Sequence, residues 1–209
     1  MTPQHNHQGQ FSNSLRVFLL GISLGLWGSL TDGALLSSGL LRPFDDRPYG
    51  VVAAELPGGI SFFAAPPRLL DSATTFSDVS IPGAKYYFTI ALPDNAGRSL
   101  AKVVFQRQDS PDPIDFEVNK TQAFEGNRQN LGQDIALNPT EFNRATGQLT
   151  VSFVRPIAPG ETVTIRLKPV QNPDVPGVYQ FRLWAVPTGD NAQSMDLGVA
   201  RLQFYRGIF

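Results

Sequence analysis

Trp184 closes the run Val178-Tyr179-Gln180-Phe181-Arg182-Leu183-Trp184. At a period of two it shares a face with Gln180 and Arg182, away from Tyr179, Phe181 and Leu183. A tryptophan in that polar company can serve as a stacking platform for a sugar ring, with Tyr87 or Tyr205 beside it. Its ring offers a broad apolar face and one polar edge. The plainer reading is that Trp184 fills core or packs under a loop. A second candidate lies in residues 121–130, read as a polar loop with one large aromatic. Phe124 could cover a ligand there, while Glu125, Arg128 and Asn130 supply hydrogen bonds. The alternative is a phenylalanine plugging one end of the fold, with solvated neighbours.

The acidic residues offer two further chemistries. Asp109, Asp112 and Asp115 fall within seven residues that also hold Pro111 and Pro113. Three carboxylates on one loop suit a hard cation such as calcium. Their spacing is not that of an EF-hand, however, and a solvated acidic connection between strands explains them better, so no metal is expected. Asp71, Glu117, Glu125 and Glu161 could pair as the two carboxylates of a glycoside hydrolase, although sequence does not say which of them meet.

Other chemistries are excluded by composition. The chain has no cysteine, and its two histidines, His5 and His7, stand near the start. Disulfides, thiol nucleophiles, a histidine base and the commonest transition-metal ligand are therefore missing from the remainder. Met195 is the sole methionine after Met1, too few for a soft copper site. There is no G-x-S-x-G elbow, H-E-x-x-H pair or phosphate-binding P-loop. The formal net charge of −1 gives no basic excess for nucleic acid, and the sequence has no charge run that would point to anionic lipid or an acidic polymer. No cofactor is called for, and the expectation is a protein that is not an enzyme.

The elements that must position these residues read as strands. Tyr86, Phe88, Ile90 and Leu92 fall on one face of a run closed by Pro93-Asp94-Asn95-Ala96-Gly97. Residues 60–64, 100–106 and 114–118 continue the β pattern. Leu149, Val151 and Phe153 alternate with polar residues, and Ala158-Pro159-Gly160 turns the chain. Val163, Ile165 and Leu167 are then predicted to face inward, with Thr162, Thr164, Arg166 and Lys168 toward water. Tyr179, Phe181, Leu183 and Ala185, then Ala200, Leu202 and Phe204, make the last inward faces. Residues 69–79 could hold one short helical turn. About eight or nine short strands with no long helix predict an all-β, immunoglobulin-like antiparallel sandwich.

Ahead of it stands an apolar run over residues 17–30, behind Arg16. That is the layout of a secretory signal. It is shorter than the roughly 20 residues that span a bilayer. Apolarity resumes at residues 34–41, so an uncleaved anchor containing Asp32 is the competing reading. Residues 1–54 are thus expected to be signal peptide or signal anchor plus linker, and residues 55–209 one exported domain. Membrane contact is expected only through the N-terminal segment, if it stays uncleaved.

Several phrases resemble a cyanobacterial family of exported proteins classed as a domain of unknown function, of the DUF2808 type. They are Pro67-Arg68-Leu69-Leu70-Asp71, Ala84-Lys85-Tyr86-Tyr87-Phe88-Thr89-Ile90, Pro93-Asp94-Asn95-Ala96-Gly97, Pro159-Gly160-Glu161-Thr162-Val163-Thr164-Ile165 and Ala200-Arg201-Leu202-Gln203-Phe204-Tyr205. The resemblance runs from about Gly59 to Tyr205 and implies an exported envelope protein, with no activity attached. The long segment over residues 31–54 departs from the pattern. The expected function is a non-catalytic binding or structural role at the envelope, toward an unknown partner. Carbohydrate binding, to peptidoglycan or a surface polysaccharide, is the first alternative, and a small carboxylate-dependent hydrolase is the second.

Overall fold

The computed structural model describes residues 55–56 and 59–207. The expected signal or anchor lies outside the described residues, as do residues 208–209. Beyond a short pair, β1 (Glu55–Leu56) and β2 (Ile60–Ser61), the described residues form two five-stranded antiparallel sheets. The first has the order β3 (Arg68–Thr74), β4 (Tyr86–Ala91), β10 (Thr162–Leu167), β6 (Gln122–Asn127), β7 (Asn130–Ile135). The second runs β12 (Met195–Phe204), β11 (Gly177–Pro187), β5 (Leu100–Arg107), β9 (Gln148–Ile157), β8 (Glu141–Asn143). This is the all-β, immunoglobulin-like sandwich, with ten sheet strands where eight or nine were expected.

Each sheet turns its period-two apolar face inward. Phe88 of the first sheet meets Phe105 and Phe181 of the second at ring-centre distances of 5.0 and 5.9 Å. Tyr86 meets Phe204 at 5.7 Å. Val163, Ile165 and Leu167 are buried in this core, as are Tyr179, Phe181 and Leu183. Tyr86 brings its hydroxyl inside with a partner, donating to Asn172 Oδ1 at 3.0 Å. The Asn172 amide in turn donates to the carbonyls of Phe76 and Asp78. A buried polar group without such partners would cost about 1–3 kcal/mol. Burial holds the Tyr86 hydroxyl far above the usual tyrosine range, so it stays protonated.

Four local expectations are corrected. Residues 69–79 do not hold a helical turn: Arg68–Thr74 is strand β3, bulged at Leu70, and pairs with β4. Residues 114–118 form only a single bridge, Phe116 to Pro169, followed by a 3-10 turn at Val118–Lys120. Proline has no N–H, so Pro113 and Pro169 interrupt the ladder there. The polar stretch 121–130 is a hairpin of β6 and β7 rather than a loop, turned at Arg128-Gln129. Asn127 Oδ1 accepts from the N–H of both Gln129 and Asn130 and holds that turn. The fourth correction concerns Thr164, which does not face water: it is fully buried.

The two sides of the sandwich are stitched. At β3 and β12 the chain crosses between sheets: the N–H of Tyr205 donates to Ser77 O and that of Val79 to Tyr205 O. On the other side, after β7, the N–H of Asn138 donates to Ser152 O and that of Val154 to Ala136 O. The turn before β10 has Pro159 and Gly160 at its centre, with Glu161 N–H returning to Ala158 O at 3.2 Å. Gly160 takes φ +88°, and a β-carbon there would lie 2.4 Å from an Asp94 carboxylate oxygen. Proline then glycine is what this turn geometry demands.

Candidate functional site

Cross-strand register places the outward residues of the first sheet side by side. Arg166 on β10 pairs with Tyr87 on β4 and Gln122 on β6. Thr164 pairs with Thr89 and Phe124, and Thr89 with Asp71 on β3. The face is therefore one continuous row of Asp71, Thr89, Thr164 and Phe124, with Tyr87, Arg166 and Gln122 in the next.

Phe124 is 8% exposed yet packs outside the sandwich core. Its ring lies on the outward face beneath the Arg166 guanidinium, whose carbon stands 4.9 Å from the ring centre, a cation–π contact. Arg128, at the hairpin turn, donates to Asp71 Oδ2 at 3.2 Å. Strands are spaced about 4.8 Å apart, so β3 lies about 14 Å from β6, beyond an arginine's reach within the sheet plane. The hairpin tip must lie across the face. Gly126 makes the fold-over, at φ +81° and with its missing β-carbon 2.5 Å from Asn130 O. Its carbonyl accepts from the Thr164 hydroxyl at 2.8 Å. That occupies the single Thr164 proton, so Thr89, 2.9 Å away, donates to Thr164. This chain of hydroxyls is covered by the hairpin, which is why Thr164 is buried on a face that its alternation assigns to water.

Beyond this cover the same face opens into a groove of about 370 Å³. Lys85, Asn119, Lys120, Gln122, Arg166 and Lys168 line it. Lys85 and Tyr87 flank the inward Tyr86, and Arg166 and Lys168 flank the inward Leu167, so period two delivers three cations to one side. Lys120 comes from the 3-10 turn. Glu117 lies 2.5 Å from Lys120 Nζ and 3.3 Å from Lys168 Nζ. These two partners, Lys120 first, hold its carboxyl below the usual carboxylate range. Among the described residues, no carboxylate stands within ion-pair distance of Lys85 or Arg166.

Trp184 lies on the outward face of the second sheet, so the structure brings Phe124, Glu125 and Arg128 onto one hairpin and leaves Trp184 on the far side. It is half-buried, and Arg182 stands 5.9 Å from its ring centre. Arg182 is held by Asp196, the cross-strand neighbour of Trp184, through Nε at 2.9 Å and through a second nitrogen. That bond, followed by the Gly198 N–H, keeps the Asp196 carboxyl below its usual range.

Asp112 and Asp115 line one cleft with Asp174, away from the groove. Asp112 accepts the Asp174 N–H, and Asp115 pairs with Arg144. Among the described residues, no group of three or more acidic side chains is arranged to hold a metal ion. Asp71 and Glu117 are engaged as above. Glu125 and Glu161 line one small cleft of about 200 Å³. There Glu161 Oε2 accepts the Ala158 N–H, while Glu125 faces Arg155 at 4.0 Å. The outward directions of Arg166 and Lys168 were legible in the sequence. Their meeting with Lys85, Lys120 and Gln122 was not, because register between distant strands creates it.

In fold, the chain is similar to the collagen-binding subdomain of the Enterococcus faecalis surface protein ACE. Identity is 7%, covering 66% of this chain and 98% of that one at a TM-score of 0.43. It is likewise similar to the collagen-binding domain from a Staphylococcus aureus adhesin, with 7% identity, 67% and 97% coverage and a TM-score of 0.38. These likenesses concern the fold alone. No curated protein matches the chain in sequence. Residues 60–204, from the start of β2 to the end of β12, match the family described as "Protein of unknown function (DUF2808)", and the chain belongs to that family.

Proposed function

We propose that this protein is an exported, non-catalytic binding domain of the cell envelope, in a cyanobacterial cell as the early resemblance implies, holding its ligand on the outward face of the first sheet. The observation that carries this reading is the groove beside the Phe124 and Arg166 stack. Its side chains are cations and amides, suited to holding a ligand through charge and hydrogen bonds. Export is supported by Arg16 and the apolar run after it. The domain is taken as residues 55–209, with residues 1–54 as signal or anchor.

The test is made in cells. The full chain is expressed, cells are fractionated, and the product's N-terminus is sequenced. The expected result is cleaved, envelope-associated protein that the double substitution Lys85→Glu and Lys120→Glu releases into the soluble exported fraction. Full-length protein in the cytoplasm, or a cleaved variant retained as well as the parent, would sink the reading, and a full-length membrane product would assign retention to the N-terminal segment instead of the groove.

Two other readings each have one observation in their favour. A hydrolase would use Glu125 and Glu161 in their shared cleft. It predicts release of reducing ends from envelope polysaccharide, abolished by Glu125→Gln. A sugar platform at Trp184 would use its partial exposure, although Arg182 already stands near the ring. It predicts tryptophan quenching by peptidoglycan fragments that Arg182→Ala enhances.

A further inference from the structure

We infer that the groove takes an acidic polysaccharide, whose carboxylate or sulfate groups meet Lys85, Lys120 and Arg166 while its hydroxyls meet Asn119 and Gln122. This rests on the reading of the first sheet as the binding face and names the ligand class it selects. Four cations and the one carboxylate of Glu117 share this site on a chain whose formal net charge is −1. The positive character is therefore local to the groove. Lys85 and Lys168 stand one position beyond the antiparallel pair Tyr86 and Leu167; among the described residues Glu117 already pairs with Lys168 at 3.3 Å, while Lys85 has no carboxylate within ion-pair distance. Arg166 is half-buried and already oriented by the Phe124 ring. A guanidinium fixed in this way offers paired donors to a carboxylate or sulfate with little further loss of freedom.

The amides decide among anions. Asn119 and Gln122 line the same groove as the cations, and an amide both donates to and accepts from a hydroxyl. Alternating charged and hydroxyl groups are what a uronate or sulfated sugar chain presents. A lipid surface would ask for apolar side chains at the rim, and the large exposed ones, such as Leu70, Phe76 and Tyr205, are not among the groove's lining residues. The volume, about 370 Å³, is at the low end of the roughly 300–1,000 Å³ of small-molecule sites and suits a short stretch of chain lying across it.

The full chain, purified from the envelope of the cells that make it, is titrated with polygalacturonate, dextran sulfate, neutral dextran and phosphatidylglycerol vesicles. The expected result is binding to one or both acidic polymers, weakened at least about tenfold between 50 and 500 mM salt as charge screening demands. Lys85→Glu and Lys120→Glu should each weaken it about tenfold or more, as loss of a charge-assisted contact does. Arg201→Glu, the same charge change on the outward face of the second sheet, should leave it unchanged. Thermal unfolding of each variant confirms that the fold survives. Preference for polygalacturonate assigns the carboxylate, and preference for dextran sulfate assigns the sulfate. Equal loss with Arg201→Glu would overturn the groove as the site. Neutral dextran bound as tightly, or vesicles bound in place of the polymers, would overturn the ligand class while leaving the binding face intact. Failure to bind any of the four probes would overturn this inference as well, whereas the binding-face reading stands or falls on release of the double variant from cells.

Discussion

Strands β10 and β11 are written in the same alternating pattern, and their inward residues behave alike. Val163, Ile165 and Leu167 are as deeply buried as Tyr179, Phe181 and Leu183. Their outward residues part company. On β11, Gln180 and Trp184 are half-buried and Arg182 is exposed. On β10, Thr164 is 0% exposed and bonded to two partners. Period two decides which side of a sheet a residue takes, but burial on the outer side depends on what folds over it. Over β10 it is the β6–β7 hairpin, pinned by Arg128 to Asp71. Over β11 the outward side carries side-chain pairs such as Arg182 with Asp196.

The largest expected effects ignore the contrast. Phe181→Ala should cost about 3–5 kcal/mol and Ile165→Ala about 2–5, as buried truncations do. Chemical denaturation of the full chain measures both, and a marked deficit on either strand would mean that its inward face is not core. Next comes the outward pair. Thr164→Ala strands the Thr89 hydroxyl and the Gly126 carbonyl and should cost about 1–3 kcal/mol. Gln180→Ala should stay within about 0.5 kcal/mol. The double substitution Thr89→Ala with Thr164→Ala should cost less than the sum of the two single changes, because they share one hydrogen bond. Equal costs at Thr164 and Gln180 would erase the distinction between the faces.

Smaller still is the hairpin pin. Arg128→Ala removes a partly exposed ion pair, for which about 0–1 kcal/mol is usual. Amide exchange at Gly126 and Asn130 should nevertheless quicken, while exchange at the core of β11 stays unchanged. The least effect is acid sensitivity, which should appear on both faces. Glu117 and Asp196 are held below the usual carboxylate range in the folded chain. Each therefore contributes stability that is complete above that range and is lost as pH falls through its folded value. Unfolding midpoints at pH 7 and in stepped acid should show the decline, and Glu117→Gln or Asp196→Asn should each remove one part of it.

Much of the core was legible from the chain because its inward strands are rich in aromatic and β-branched residues. Strands β6 and β7 were not, since Gln122-Ala123-Phe124-Glu125-Gly126-Asn127 has little β character, and what holds it is pairing with β10, forty residues on. Strand β3 was obscured by its bulge, which breaks the alternation at Leu70. Phe124 was singled out as a lone aromatic among polar residues, and its real neighbour, Arg166, belongs to another strand. The groove needed three separate segments brought into register, around Lys85, residues 119–122 and residues 166–168, information that no local window contains.

The crossings at the two sides of the sandwich have a consequence for how copies of this protein tolerate one another. An open sheet edge offers free N–H and C=O groups to any other strand, and crowding turns such edges into seeds of aggregation. Here β3 and β12 are drawn together by the crossing through Ser77, Val79 and Tyr205. On the other side, the segment leaving β7 spends its backbone on β9. The remaining margin of the second sheet is β8, which is three residues long, and β7 carries Asp134. Short and charged margins discourage a second chain from docking. The fold thus protects itself by geometry against its own copies, without a disulfide to close it.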